Sequence, residues 1–190
     1  MSGYRGLLIG DKFMDHWRED NVGSFYRVMK ATMPRGGAGS LGDAAYLDIM
    51  AYILQANGFP AGKEELTLPA LDGIRIEGED GPQPVPEFAL VKTVGCLRSD
   101  AAGEWKLERA TPAVRTRDPQ PSPESERVAE ATAAGDAVVK FLHVSDYDAE
   151  RFHMAEQRGH KVEAKGFLIR NSQGPTLNLT SVGTVAGSCP

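Results

Sequence analysis

The spacing of apolar residues changes once along this 190-residue chain. Over residues 41–56, apolar side chains recur at i, i+3, i+4, i+7 and i+8, which predicts an amphipathic helix. From Phe88 onward the period falls to two, which is typical of β-strands. Helices followed by strands predict an α+β chain with two modules. The residues of the helical stripe are Tyr46, Ile49, Met50, Ile53 and Leu54.

Two shorter helices are expected before residue 41. Residues 11–17 place Phe13 and Trp17 four apart on one face. Residues 22–31 follow Asn21, which is a suitable N-cap residue. These helices and the one at 41–56 define a short all-α module over residues 1–66.

The third helix has start and stop signals of its own. Ser40 and Asp43 have capping-box spacing, with Asp in the place of Glu or Gln. The sequence Asn57-Gly58 is a helix stop. Residues 67–87 are acidic and rich in Pro and Gly, so we expect an extended linker there.

Residues 88–190 predict a five-stranded module. A helix over about 146–157 separates the third strand from the fourth, and a long mobile loop is expected over 112–135. The order β-β-β-α-β-β is that of the OB fold, a small β-barrel, and a generic meander with one helix is the alternative. The expected strands span residues 88–97, 104–110, 137–144, 160–170 and 176–182.

Charge and hydropathy exclude several function classes. The net charge is −5, with 8 basic and 13 acidic side chains over 1–87 and 13 of each over 88–190. Neither half is basic, so no nucleic-acid partner is expected. No run approaches 18 apolar residues, so no membrane span is expected. The longest apolar run in the first 13 residues is too short for the hydrophobic region of a signal peptide, so no signal peptide is expected in this sequence.

The pattern of reactive side chains does not predict an enzyme. No Ser-His-Asp order, phosphate-binding glycine loop or catalytic carboxylate pair stands out. His16, His143, His153 and His160 lack metal-ligand spacing and are interpreted as surface residues. Cys96 and Cys189 are either two buried thiols or a disulfide between the two ends of the second module.

Residues 32–66 carry a more specific pattern. It joins a Met-Pro loop, a Gly-Ser-Leu helix start, a helix with Tyr-x5-Tyr, and an Asn-Gly-Phe-Pro ending. The Phe-x3-Trp pair at Phe13 and Trp17 precedes it. Together, this segment resembles the C-terminal part of class I c-type cytochromes, especially the cytochrome domains of bacterial quinoprotein dehydrogenase systems.

The resemblance implies a haem c cofactor and one-electron transfer in the periplasm, with no substrate chemistry. It makes Met33 the axial thioether ligand of the haem iron, a soft ligand that raises the haem potential. It also implies a redox partner protein such as a quinoprotein dehydrogenase. The haem-contacting residues it implies are Phe13, Trp17, Met33, Pro34, Leu41, Tyr46 and Ile49.

One part of the cytochrome pattern is missing. The family attaches haem through CxxCH, and this sequence has no such motif. We expect a truncated gene product whose upstream DNA encodes CxxCH and a signal peptide. The alternative is a haem-free interaction module in which the helical segment is a relic.

The second module resembles small secreted bacterial OB-like domains, which often carry a cysteine near each end. This resemblance implies a Cys96–Cys189 disulfide and a periplasmic or secreted location. If the barrel closes with its first and fifth strands as neighbours, the two cysteines come within reach of each other. Protein docking is the expected role of this module, since it is neutral and poor in aromatic residues.

Overall fold

The computed structural model describes residues 8–172 and 174–189 and divides the chain into two compact units, Met1–Pro84 and Val85–Pro190. The first is helical, and the second is built on a six-stranded sheet. The expected α+β class is therefore confirmed. Across the described residues, no helix is long and apolar enough to cross a membrane.

The first unit contains the three expected helices, α1 (Asp11–Trp17), α2 (Val22–Thr32) and α3 (Asp43–Ala56). The Asn21 side chain caps α2 by accepting a hydrogen bond from the Ser24 N–H. The expected Ser40–Asp43 capping box is not formed, because Gly42 is the N-cap of α3 and the Asp43 carboxylate instead meets α2.

The segment expected to be a linker belongs largely to the first unit. Residues 68–73 form a 3-10 helix, Leu68–Gly73, and Leu71 and Ile76 are buried in the helical core. The backbone N–H groups of Glu19 and Val22 donate hydrogen bonds to the carbonyls of Ile76 and Ile74, which hold the segment against the start of α2. Burial of these two apolar side chains therefore overrides the Pro and Gly content, and the unit boundary falls after Pro84.

The second unit contains six strands and two helices in its described part. In chain order these are β1 (Leu90–Ser99), β2 (Trp105–Ala110), β3 (Val114–Arg115), α4 (Pro123–Ala131), β4 (Ala137–Phe141), α5 (Asp146–Arg151), β5 (Lys161–Asn171) and β6 (Gly174–Ala186). The expected loop over 112–135 thus contains β3 and α4. The expected helix over 146–157 ends at Arg151, and turns follow it.

Five strands of the second unit form a closed ring in the order β1-β2-β4-β6-β5, with β5 pairing again with β1. The β4–β6 pair is parallel and the other pairs are antiparallel. The expected contact between the first and last strands is wrong, since β5 lies between β1 and β6. The core inside the ring is apolar and includes Leu97, Leu107, Val139, Leu168 and Leu177.

A glycine permits the bend in the longest strand pair. The β5–β6 register shifts between Lys165 and Gly166. A Cβ at Gly166 would lie 2.5 Å from the Asn178 carbonyl oxygen, so the two backbones approach too closely for any side chain. The mid-strand glycine therefore marks a bulge in the ring.

Candidate functional site

The residues that the cytochrome resemblance assigns to haem are distributed between core and surface. Phe13 and Trp17 are buried and pack on Phe25, with ring centroids 5.5 and 4.8 Å apart. Leu41 and Ile49 are 36% and 40% exposed. The structure therefore brings the two α1 aromatics together and leaves two of the expected haem contacts at the surface.

Met33 and Tyr46 are joined by a hydrogen bond. The Tyr46 hydroxyl donates to the Met33 carbonyl at 2.7 Å, and Tyr46 itself is 1% exposed. Met33 is half-buried against the helical core, and Pro34 is half-buried after it. This bond fixes the backbone of the Met-Pro loop against α3.

These residues do not fit a covalently attached haem. The thioether bonds of haem c require a pair of cysteines in the cytochrome segment, and both cysteines of this sequence lie in the second unit. Phe13 and Trp17 both pack against Phe25 within the apolar cluster of the first unit. His16, the one histidine in the sequence of this unit, has its ring 5.0 Å from that of Trp17.

A polar triad connects α2 with α3. Lys30 Nζ donates to Asp43 Oδ1 at 2.6 Å, and the Tyr26 hydroxyl donates to the same oxygen at 2.7 Å. These hydrogen bonds, that of Lys30 first, lower the pKa of Asp43. Burial, followed by the bond to Asp43, raises the pKa of Tyr26. Because the three side chains form hydrogen bonds with one another, we interpret the triad as a structural contact between α2 and α3.

The two cysteines of the second unit form a disulfide. Cys96 and Cys189 have their Cα atoms 5.6 Å apart. Cys96 pairs with Lys161 across the β1–β5 ladder, and the Cys189 N–H donates to the Gly159 carbonyl at 3.1 Å. The bond therefore joins β1 to the segment after β6 across the start of β5.

A row of cations crosses the outer surface of the ring. Arg98 on β1 pairs with Lys106 on β2, which pairs with Lys140 on β4. Paired residues of antiparallel strands project from the same face, about 5 Å apart. Leu107 and Val139, the next pair along, are buried, so the row faces outward. We call Arg98, Lys106, Lys140, Glu108 and Val138 the charged face.

Glu108 adds one negative charge to the charged face. Its Oε1 lies 2.8 Å from Lys106 Nζ. The hydrogen bond from Lys106 lowers the pKa of Glu108, and the same bond raises the pKa of Lys106. Val138, 48% exposed, lies on β4 two residues before Lys140 and therefore projects from the same side. The surface therefore combines three cations, one carboxylate and one exposed apolar side chain.

Sequence reasoning missed the charged face. The alternation of Lys106, Leu107 and Glu108 identifies the outward positions of one strand, but the row appears only when the strand register is known. The described residues contain no group of three His, Cys, Asp or Glu side chains able to hold a metal ion. Comparison of the chain with protein-family models, curated proteins and solved structures found no match.

Proposed function

We propose that this chain is a haem-free protein-interaction module that docks on an acidic partner through the charged face of an OB-like second unit. The observation that carries the proposal is the ring order combined with the row Arg98–Lys106–Lys140 on its outer surface. No catalytic group is required for this function.

The ring supports the OB-like assignment. An OB fold is a five-stranded Greek-key barrel that binds its ligands on the face of its second and third strands. Counting only the five ring strands, the second and third are β2 and β4, and α5 lies between the third and fourth. Lys106 and Lys140 thus occupy the strands with which OB domains bind.

The composition of the charged face favours a protein over a nucleic acid. Single-stranded nucleic acid requires a basic groove with stacking aromatics. Residues 88–190 contain equal numbers of acidic and basic residues, and Glu108 lies within the cationic row. Trp105, which precedes Lys106 on β2, packs against the core inside the ring instead of joining the charged face, and the Arg158 guanidinium lies 5.3 Å from its ring centroid. Exposed Val138 beside charged groups is typical of a polar protein interface.

A site-specific crosslink tests the docking surface. A photoreactive residue at Val138 should capture a discrete partner from the native source, and Lys106→Glu should abolish the adduct by reversing the charge that attracts an acidic surface. The adduct should also weaken as salt approaches about 1 M, where the Debye length is about 3 Å. The readout is mass spectrometry of the crosslinked species.

Val128 supplies the matched control. It is 52% exposed, close to the 48% of Val138, and it lies on α4 outside the charged face. A photoreactive residue at Val128 should not capture the same partner. Equal capture from both positions, or an adduct unchanged by Lys106→Glu, would contradict docking through the charged face.

Electron transfer remains the second candidate, on the strength of the Met33-Pro34 loop and its bond to Tyr46. Haem titration, followed by absorption in both oxidation states, separates the candidates. A haem-free module predicts no sharp low-spin spectrum at any haem concentration. An electron carrier predicts a sharp low-spin spectrum that Met33→Ala removes, and Met14→Ala is the control because Met14 also lies half-buried against the helical core.

A further inference from the structure

An aromatic residue with an unusual backbone conformation lies just before β1. Phe88 has φ of +59°, in the left-handed region that residues other than glycine rarely adopt. The Ala89 N–H donates to the Pro86 carbonyl at 3.2 Å, so Phe88 is the third residue of a turn. A positive φ at this position of a turn is usually supplied by glycine. The backbone therefore gives no reason for a phenylalanine here.

Hydrogen bonds to β5 fix this conformation. The Phe88 N–H donates to the Leu168 carbonyl at 2.8 Å, and the Leu168 N–H donates to the Ala89 carbonyl at 3.0 Å. Phe88 and Ala89 thus both lie opposite Leu168, which is the arrangement of a β-bulge whose first residue is usually a left-handed glycine. The bulge holds Phe88 at a defined place at one end of the β1–β5 pair.

Burial does not explain the aromatic side chain either. Phe88 is 68% exposed. Phe167, which pairs with Leu90 at the same end of the β1–β5 ladder, is 43% exposed. Strained residues persist mainly where function requires them, and aromatic side chains are enriched in protein–protein interfaces. Two exposed phenylalanines at one end of a strand pair therefore indicate a contact surface.

Two opposite charges border this surface. Glu87 Oε2 and Arg170 Nη1 lie 3.9 Å apart, and their side chains are 40% and 42% exposed. The Glu87 carboxylate also accepts from the Arg170 backbone N–H at 3.0 Å, so the two residues face each other across the strands. A uniformly acidic or basic partner would be repelled by one of these charges. A second copy of the surface, related by a two-fold axis, would place each carboxylate against the guanidinium of the other copy.

We infer that this surface, formed by Glu87, Phe88, Phe167 and Arg170 and called the bulge patch, binds a second copy of the chain in a two-fold dimer. The phenylalanines of the two copies pack together, and each Glu87 pairs with Arg170 of the other copy. The two rings leave roughly 200 Å² of surface exposed in each copy. A standard interface buries about 800 Å² per partner, so the dimer is weak and its population depends on concentration. The charged face contributes no residue to the bulge patch.

Sedimentation velocity of the full chain, at concentrations from micromolar to millimolar, tests the inference. The wild type should shift from monomer to dimer as its concentration rises, and Phe88→Gly should weaken this association at least about tenfold. Because glycine adopts a left-handed conformation readily, Phe88→Gly should not lower the melting temperature. Tyr147→Ala is the control and should associate like the wild type, since Tyr147 is 71% exposed on α5 and lies outside the bulge patch.

Three results of this experiment would overturn the inference. The wild type could remain monomeric at every concentration, or it could form a dimer that Phe88→Gly does not weaken. A marked fall in the melting temperature of Phe88→Gly would also count against it, because the ring would then stabilise the fold of its own chain.

Complementary charge changes test the two-fold pairing. Glu87→Lys leaves two cations in the bulge patch and Arg170→Glu leaves two carboxylates, so each variant alone should associate more weakly than the wild type. An equal mixture of the two should form a heterodimer, because each cation then meets a carboxylate of the other chain. The absence of stronger association in the mixture would overturn the pairing.

The first unit offers a matched control for the charge changes. Arg27 and Asp72 form an ion pair there, with side chains that are 51% and 43% exposed. Arg27→Glu and Asp72→Lys should each associate like the wild type, and mixing them should not strengthen the association. Circular dichroism of every variant verifies folding. An equal gain on mixing either pair of variants would show non-specific charge attraction and overturn the site.

Discussion

The two units are stabilised by different kinds of interaction. The first unit is held by apolar and aromatic packing, with Phe13, Trp17 and Phe25 at its centre and ion pairs at its surface. The second unit adds a disulfide and the buried Lys165–Glu163 ion pair to its apolar core. The helical unit therefore depends mainly on the packing of a few large side chains, while the strand unit depends on specific partners distant in sequence.

The buried charges of the second unit lie on one side of β5. Lys161, Glu163 and Lys165 alternate along the strand and are 8%, 4% and 1% exposed. The chain from Asp118 to Thr132, which includes α4, covers them: Ser125 donates to Glu163, and Lys165 Nζ donates to the Gln120 carbonyl at 2.6 Å. Both faces of β5 are consequently buried over residues 161–166, the first half of the strand.

Removing the disulfide should have the largest effect. The Cys96→Ala, Cys189→Ala double variant should destabilise the second unit by about 4 kcal/mol, because a bond between residues 93 apart restricts the unfolded chain strongly. Urea unfolding measures this loss through Trp105, in a Trp17→Phe background that leaves one tryptophan in the second unit.

The control uses the other tryptophan. With Trp105→Phe, Trp17 reports the first unit, whose unfolding should be unchanged by the cysteine substitutions because that unit contains no cysteine. If the free energies of unfolding reported by Trp17 and by Trp105 fall equally, the two units do not unfold separately. That result would contradict the claim that the disulfide stabilises the second unit alone.

Breaking the buried ion pair should have the next largest effect. Lys165 Nζ lies 3.5 Å from Glu163 Oε1, and both side chains are nearly inaccessible. Lys165→Met should cost about 3 kcal/mol, because it leaves the Glu163 carboxylate buried without its cation. Adding Glu163→Gln to Lys165→Met should recover part of this loss. The measurement is the urea unfolding free energy of each variant, reported by Trp105.

Lys161 offers a matched comparison on the same strand. Its Nζ donates to the carbonyls of Glu130 and Thr132, at 2.6 and 2.7 Å, where α4 ends. Lys161→Met removes these bonds and leaves no buried carboxylate, so a smaller loss of about 1.5 kcal/mol is expected. A larger loss from Lys161→Met than from Lys165→Met would contradict the importance of the buried pair.

Local patterns in the sequence predicted the elements that depend on near neighbours. The stripe containing Tyr46, Met50 and Ile53 predicts α3 because its period is set by the helix itself. Alternation around Leu107 predicts β2 for the same reason. In both cases the spacing of apolar residues within one element identifies which side chains face the core, so no distant residue is needed for the prediction.

The missed features depend on distant residues. Residues 67–87 have the composition of a linker, yet Leu71 and Ile76 complete a core formed mainly by α1, α2 and α3. Alternation along β5 indicates one solvent-facing side, but α4 covers that side. The charged face requires the register that pairs Lys106 with both Arg98 and Lys140. In each case the contacting residues are distant in sequence, so the spacing of apolar residues within one segment does not reveal the contact.

The smallest predicted effect is a pH dependence in the first unit. Asp43 has a lowered pKa because Lys30 and Tyr26 donate to its carboxylate. A carboxyl whose pKa is lower in the folded state contributes stability above its ordinary value of 3.8, and this stability is lost as pH falls through the folded pKa. In urea unfolding followed by Trp17 fluorescence, the wild type should therefore have a higher free energy of unfolding than Asp43→Asn at pH 6. This difference should become smaller as the pH falls below 3.8.

Asp48→Asn is the matched control for this pH series, since Asp48 is an exposed carboxylate on the same helix. The difference between wild type and Asp48→Asn should change less with pH than the difference for Asp43→Asn. If both differences shrink equally, the general charge of α3 governs its acid stability. If only the Asp43 difference shrinks, the triad of Lys30, Tyr26 and Asp43 contributes to the stability of the contact between α2 and α3.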